Sequence, residues 1–148
     1  MHPYPHTYRV SATATGVGAT LVAADGLEPI PTAPPPEFDG PGGCWSPETL
    51  LTAAVADCFV LSFVAVSRAS RFEWLSLECR VEGVLDRLDG AAQFTRFRTL
   101  ATLGIATGAN AAKARQLLEK AEHICLITNS LKAARELSIE VVEHPTGA

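Results

Sequence analysis

The chain has 148 residues, of which 47% are hydrophobic and 19% are charged, and its net charge is −4. These values exclude a largely disordered protein and predict one domain over residues 1–148 with a sizeable core. The acidic balance without a basic stripe excludes nucleic acid as a partner. The N-terminus MHPYPHTYRV has neither the positive nor the apolar part of a secretory signal, so we expect a cytoplasmic protein.

The first elements in the chain are a predicted hairpin and an irregular segment. Apolar and polar residues alternate from Tyr8 to Ala14, which is the pattern of a half-buried strand. Gly16-Val17-Gly18 turns the chain, and Ala19 to Ala24 returns as the second strand. Five of the ten prolines lie between Pro29 and Pro36, which predicts neither helix nor central strand there.

A long central helix is predicted from Ser46 to about Ser70. Ser46 is a favoured N-cap residue, Pro47 suits the first helical position, and Glu48 complements the positive end of the helix dipole. Nearly every position in the next four turns is apolar or small, so we expect other elements to surround this helix.

A membrane span is the alternative interpretation of this helix. Its apolar run of about 17 residues is at the lower limit for crossing a bilayer. Asp57 lies at its midpoint, where an ionised carboxylate costs about 2.5–3.5 kcal/mol, and the chain has no second apolar run to shelter that charge. We therefore predict no membrane association.

The second half of the chain predicts strands, a helix and a final strand. Apolar and polar residues alternate from Leu75 to Val81, which predicts a strand, and Gly83 indicates a bulge in it. A hairpin turn is predicted at Asp89-Gly90, and the returning strand has an apolar inner face. The predicted inner residues of that returning strand are Phe97, Thr99, Ala101, Leu103 and Ile105.

A second helix opens at Asn110 and carries one apolar stripe that runs through Ile124 and Cys125. Asn129 and Ser130 begin a short further turn, and Leu137 to Val142 predicts a last strand. The order of elements is that of an α+β domain rather than a parallel doubly wound sheet.

The four cysteines are the candidate chemical groups. No CxxC and no pair of histidines at ligand spacing is present, so we predict no metal and no cofactor. Cys79 lies on the inner face of a strand and is most simply a core residue. Cys44 lies in a glycine loop before a helix, where a lone cysteine is more often incidental than functional.

Cys58 and Cys125 each lie on the buried face of a helix, and those two faces are expected to pack together. They are either two core thiols or a working pair. The polar residues Glu48, Asp57 and His123 favour a working pair, since such groups are costly in a dry core without partners. His123 is weak evidence, because positions i and i+2 of a helix point to different sides.

Three segments together resemble the OsmC/Ohr family of osmotically inducible and organic hydroperoxide resistance proteins. They are FDGPGG, then SPETLLTAAVADC with a carboxylate ten positions before its cysteine, then KAEHICLITNSL with the second cysteine. The resemblance covers almost the whole chain. It implies an intertwined homodimer of α+β halves, in which bent antiparallel sheets enclose two central helices.

The resemblance also implies a thiol peroxidase. Cys58 would be the peroxidatic cysteine that attacks an organic hydroperoxide, Cys125 the resolving cysteine, and Glu48 the site carboxylate. The attacking thiol becomes a sulfenic acid, the second thiol converts it to a disulfide, and a dithiol reductant restores both. Apolar surroundings of Cys58 favour organic peroxides over hydrogen peroxide.

One departure from the family pattern concerns an arginine. Strongly active members carry an arginine after the first hairpin turn, where this chain has Ala19 and Thr20 in the stretch GVGATL. Arg9, Arg96 or Arg98 could replace it, whereas Asp57 beside the thiol opposes its ionisation. The missing arginine favours an alternative function, which is binding of a small apolar ligand in the same dimer pocket with weak or lost peroxidase activity.

Overall fold

The protein is described by a computed structural model over residues 1–145. The chain divides into two compact units, the first spanning residues 1–50 and the second beginning at Leu51. The single domain that the sequence predicts for residues 1–148 stays a prediction.

The first unit contains a small antiparallel sheet. Its strands are β1 (Ser11–Thr13), β2 (Thr20–Ala23) and β3 (Ile30–Thr32), in the order β1-β2-β3. The predicted hairpin is confirmed, although β1 is shorter than the alternating stretch. The proline-rich segment adds one strand that the sequence left irregular, and Pro31 is tolerated there because β3 lies at the sheet edge. A single 3₁₀ turn follows at Pro36–Phe38.

The long helix α1 (Pro47–Ala69) begins in the first unit and continues into the second. Its start is capped as predicted, because Ser46 Oγ accepts a hydrogen bond from the Thr49 N–H at 3.2 Å. The Ser46 N–H in turn donates to Thr49 Oγ1 at 2.8 Å, so two otherwise unpaired donors are satisfied reciprocally.

The second unit contains a mixed three-stranded sheet, in the order β4-β5-β6. β4 (Ser76–Leu88) and β5 (Ala91–Ala106) form an antiparallel hairpin, as predicted. α2 (Ala111–Ile124) and α3 (Leu126–Asn129) then carry the chain back, so β6 (Ala134–His144) pairs parallel to β5. The α+β class is confirmed, with one parallel strand pair in place of a fully antiparallel sheet.

The β4–β5 hairpin turns at Asp89 and Gly90, both of which have positive φ, as a two-residue hairpin loop requires. The bulge lies between Val84 and Leu85 rather than at Gly83. Gly83 has a different purpose: a Cβ atom there would lie 2.8 Å from Thr52 Oγ1 of α1. The missing side chain therefore lets the helix approach the strand.

The core of the second unit lies between the sheet and the two longer helices. Phe59 and Phe63 of α1 are fully buried against α2 and the inner face of β5, whose inner residues are those the alternation predicts. Phe63 meets Trp74 edge to face, with ring centroids 5.5 Å apart. In the single chain only one side of α1 is covered by other elements. Leu61, on the opposite side, is 59% exposed.

By length and composition α1 could cross a membrane, because its most apolar window has a mean hydropathy of 2.1 and is 22% buried. Core helices of α+β proteins meet the same criterion, and the buried phenylalanines place one face of α1 in the core.

The C-terminal elements differ from the predictions at their ends. The apolar stripe of α2 is buried from Ala114 to Ala121, but Ile124 is 42% exposed because the helix ends there. The short helix begins at Leu126 rather than at Asn129, and β6 is longer than the predicted Leu137 to Val142.

Candidate active site

Cys58 lies midway along α1 and is partly buried. It opens onto a groove of about 480 Å³ whose walls are mainly apolar. Leu61 and Ala65 of the same helix line the groove, together with Leu126 and Ile127 from α3. The Cys58 side chain therefore lies in the wall of an apolar groove that is open to solvent.

Cys125 lies at the bend between α2 and α3, and it is fully buried. Its backbone leaves the helical region, with φ −60° and ψ 105°, so α2 ends at Ile124 and a new helix starts at Leu126. The prediction placed Cys125 within a continuous helix. The structure instead places it at a corner, where its sulfur is turned into the protein.

The structure brings Cys58 and Cys125 together as a pair of free thiols that interact with each other. Burial is the main cause that raises the pKa of Cys125, hydrogen bonding from Thr128 lowers it in part, and the Cys58 thiol raises it further. At neutral pH Cys125 is therefore a protonated partner beside Cys58.

A polar cluster borders the bend on the side of β6. Arg135 Nη1 donates to Thr128 Oγ1 at 3.0 Å and to Asn129 Oδ1 at 2.9 Å. The same guanidinium lies 3.6 Å from the Glu122 carboxylate. Burial raises the pKa of Glu122, and the charge of Arg135 lowers it in part.

Cys79, on the inner face of β4, is a third thiol of this region. Burial, then the charge of Glu122, then Cys125 raise its pKa to about 11. The thiolate is the nucleophile in thiol chemistry, so Cys79 is a poor nucleophile at neutral pH. This agrees with its interpretation as a core residue.

Glu48, the predicted site carboxylate, lies at the start of α1 in the first unit. It lines an apolar pocket of about 500 Å³ within that unit. Strand residues Ala12, Thr20 and Val22 and loop residue Pro34 form other walls of this pocket. Thr20 belongs to the stretch GVGATL, where the OsmC/Ohr resemblance leads us to expect an arginine.

The arginines that could replace the missing one have other partners or lie elsewhere. Arg98 pairs with Glu82 and, at 3.3 Å, with Glu136. Arg96 lies 3.2 Å from Glu136. Neither arginine lines the groove at Cys58, and Arg9 is an exposed residue of the first unit.

The other sequence candidates have simpler placements. Asp57 is exposed at the rim of the Cys58 groove, and His123 and Cys44 are exposed, as expected for surface residues. Within residues 1–145 no three His, Cys, Asp or Glu side chains are grouped closely enough to hold a metal ion.

Sequence reasoning did not identify Arg135, Thr128 or Glu122 as neighbours of Cys125. Arg135 belongs to a strand, and its contacts to the bend span six or more positions of the chain. Thr128 follows Cys125 by three positions, and its hydroxyl donates back to the Cys125 carbonyl, a local bond that threonine makes in many helices and that does not by itself indicate a site.

Comparison with known proteins identifies the family. The family model described as OsmC-like protein matches residues 40–140, which is more than half of the chain. The uncharacterized protein YmaD of Bacillus subtilis is 28% identical over 109 residues, which cover 72% of this chain and 73% of YmaD.

Solved structures share the fold. An organic hydroperoxide resistance protein OsmC from Legionella pneumophila is 25% identical, with a TM-score of 0.72 over 93% of this chain and 98% of its own. An OsmC-like protein of unknown function from Vibrio cholerae has a TM-score of 0.82 at 16% identity, over 91% and 99%. An organic hydroperoxide resistance protein from Elizabethkingia anophelis has a TM-score of 0.74 at 21% identity, over 95% and 100%. The predicted OsmC/Ohr resemblance is confirmed, and the chain belongs to the OsmC-like protein family.

Proposed function

We propose that this OsmC-like protein is a thiol peroxidase that reduces organic hydroperoxides. The observation that carries the proposal is the pair of interacting free thiols, Cys58 and Cys125, with Cys58 open to an apolar groove. The names of the Legionella and Elizabethkingia structures, which are organic hydroperoxide resistance proteins, support the same activity.

The proposed reaction has two steps on the protein. The Cys58 thiolate attacks the terminal oxygen of ROOH, the O–O bond breaks, and ROH leaves after taking a proton. Cys58 is thereby oxidised to a sulfenic acid. The Cys125 thiol then displaces its hydroxyl as water, and a Cys58–Cys125 disulfide forms.

A dithiol reductant completes the cycle by thiol–disulfide exchange, which returns both cysteines to thiols. The cytoplasm supplies such reductants, and it is the compartment we propose for this protein. The apolar walls of the groove favour an organic hydroperoxide over hydrogen peroxide, because burying an alkyl or aryl group contributes about 25 cal/mol per Å².

We infer that the active protein is a homodimer in which Glu48 serves the Cys58 of the other chain. Ten helical residues span about 15 Å, so Glu48 and Cys58 of one helix cannot meet. The exposed apolar face of α1, where Leu61 is 59% exposed, is a surface that a second copy would cover.

One observation favours the alternative function. The pocket that Glu48 lines is apolar and about 500 Å³ in volume, and it is also lined by Thr20, from the stretch where the family resemblance leads us to expect an arginine. A site with a carboxylate and no arginine from this stretch suits binding of a small apolar ligand with weak or lost peroxidase activity.

Steady-state turnover tests the proposal. Reduced protein is mixed with cumene hydroperoxide or hydrogen peroxide and a dithiol, and peroxide loss is followed for wild type, C58S, C125S and the control C44S. We expect C58S to be inactive, C125S to be slower than wild type because only the dithiol can then resolve the sulfenic acid, and C44S to match wild type, since Cys44 is exposed and outside the groove. An active C58S would overturn the proposal, and saturable binding of cumyl alcohol without turnover would establish the alternative.

A further inference from the structure

Arg135 contacts residues on both sides of the bend that carries Cys125. On the α2 side its Nε lies 3.6 Å from the Glu122 carboxylate. On the α3 side its Nη1 donates to Thr128 Oγ1 at 3.0 Å and to Asn129 Oδ1 at 2.9 Å. A single planar guanidinium from β6 therefore fixes the two helices that meet at the resolving cysteine.

The partners of Arg135 in turn hold the main chain of Cys125. The Thr128 hydroxyl donates to the Cys125 carbonyl at 3.1 Å, and the Asn129 N–H donates to the same carbonyl at 3.0 Å. The Asn129 side-chain amide donates to the His123 carbonyl at 3.1 Å, which closes the cluster on the α2 side.

The cluster is buried on its inner side, whereas Asn129 and Arg135 are exposed residues. Cys125 is fully buried, Thr128 is 5% exposed, and the Glu122 side chain is 15% exposed. The Arg135 side chain is 35% exposed, so its charge is only partly screened by water. Loss of the guanidinium would leave Glu122 without this ion pair and Thr128 without this donor.

We propose that Arg135 is the positioning residue of the resolving step, and this rests on the proposed peroxidase function. It holds the α2–α3 bend so that the Cys125 sulfur faces Cys58. The step it serves is Cys58–SOH + HS–Cys125 → Cys58–S–S–Cys125 + H₂O, in which the Cys125 sulfur displaces the hydroxyl of the sulfenic acid as water. Arg135 touches neither sulfur and takes no part in the attack of Cys58 on the hydroperoxide.

The competing reaction makes this role measurable. A second hydroperoxide molecule oxidises the sulfenic acid by Cys58–SOH + ROOH → Cys58–SO₂H + ROH, and the sulfinic acid does not return to the cycle with a dithiol. The ratio of disulfide to sulfinic acid depends on how fast the Cys125 sulfur attacks the Cys58 sulfenic acid. A displaced Cys125 therefore appears as over-oxidation of Cys58.

The experiment compares R135Q with the control R115Q. Arg115 also joins α2 to β6, through a hydrogen bond from its Nη1 to the Ile139 carbonyl at 3.2 Å, but it does not contact the bend. Loss of Cys58 thiol, formation of disulfide and formation of sulfinic acid are followed by quenched-flow mass spectrometry with cumene hydroperoxide.

We expect R135Q to lose the Cys58 thiol as fast as wild type but to form the disulfide about tenfold or more slowly, because small misplacements of reacting groups cost rate steeply. The yield of Cys58 sulfinic acid in R135Q should rise as the rate of disulfide formation falls. R115Q should match wild type in all three measurements, and R135K should recover part of the disulfide rate.

A second pair of variants tests the same contact in case R135Q does not fold. T128V removes the hydroxyl that links Arg135 to the Cys125 carbonyl and keeps the shape of the side chain, whereas T128S keeps the hydroxyl. T128V should slow disulfide formation, and T128S should not.

A peroxide-free measurement separates this proposal from the proposed function. Oxidised glutathione forms a mixed disulfide with Cys58, and Cys125 then displaces glutathione: Cys58–S–SG + HS–Cys125 → Cys58–S–S–Cys125 + GSH. If wild type does not react with hydroperoxide but R135Q slows this displacement, the function fails and the positioning role stands. Equal displacement rates in wild type, R135Q and T128V, or equal slowing in R115Q, would overturn the positioning role.

Discussion

Cys79 should be nearly inert in the folded protein, although it lies near Cys125, the proposed resolving thiol. Burial, the charge of Glu122 and the neighbouring Cys125 raise its pKa to about 11. At about pH 8 only about one Cys79 in a thousand is then ionised, against about a quarter of unperturbed thiols with a pKa near 8.5. The thiolate fraction alone predicts alkylation about two hundred times slower than in the unfolded chain.

Glu122→Gln should accelerate that alkylation several-fold, because it removes the second-largest cause of the raised pKa and leaves burial in place. Glu119→Gln is the matched control, since Glu119 is an exposed residue of α2 one turn earlier. The assay is iodoacetamide labelling resolved by peptide mapping, with the urea-unfolded protein as reference. The reasoning is refuted if Cys79 reacts in the folded protein at the unfolded rate, or if both substitutions accelerate it equally.

Three further predictions concern stability. Gly83→Ala should lower the free energy of unfolding by about 1–3 kcal/mol in urea titrations, since its Cβ would meet Thr52 Oγ1 at 2.8 Å; an unchanged value would contradict the close approach of helix and strand. Phe63→Ala should cost about 3–5 kcal/mol by opening a cavity beside Trp74, and a loss below about 1 kcal/mol would refute its core position. Because burial raises the pKa of Glu122, the native state binds this proton more tightly than the unfolded state. Relative to Glu122→Gln, wild type should therefore lose stability as pH rises above about 4, the ordinary pKa of a glutamate, and the opposite slope would refute the shift.

Capping, alternation and turn preferences predicted the elements that depend on residues close together in the sequence. The capped start of α1 depends on Ser46 and Thr49 alone, and the inner face of β5 depends on a period of two that any half-buried strand imposes. The β4–β5 turn depends on Asp89 and Gly90, which tolerate positive φ. These features could therefore be predicted without knowing what packs against them.

The bend at Cys125 could not be predicted in this way. The apolar stripe of α2 continues through Ile124 and Cys125 in sequence, so periodicity predicts an unbroken helix. The break is accompanied by contacts from Thr128 and from Arg135, which lies on a strand ten positions further along. Sequence pattern selected Cys58 and Cys125 as a candidate pair, which stays a prediction, and gave no account of the contacts that Arg135 and Thr128 make at the bend.

The apolar surface of α1 was predicted only in part. The sequence shows that all sides of the helix are apolar, and the structure shows that Phe59 and Phe63 face the core whereas Leu61 is exposed. The proposed second copy accounts for the exposed face. Sedimentation of the reduced protein tests this, with a dimer as the expected result and a fully active monomer as the result that contradicts the shared site.

The most direct test of the central claim is to map the disulfides after one equivalent of cumene hydroperoxide is added to the reduced protein. Digestion without reductant, followed by mass spectrometry, identifies each linked pair of cysteine peptides. We expect a Cys58–Cys125 link, with Cys44 and Cys79 still reduced. A Cys58 that remains a thiol, or that is linked to Cys44, would contradict it.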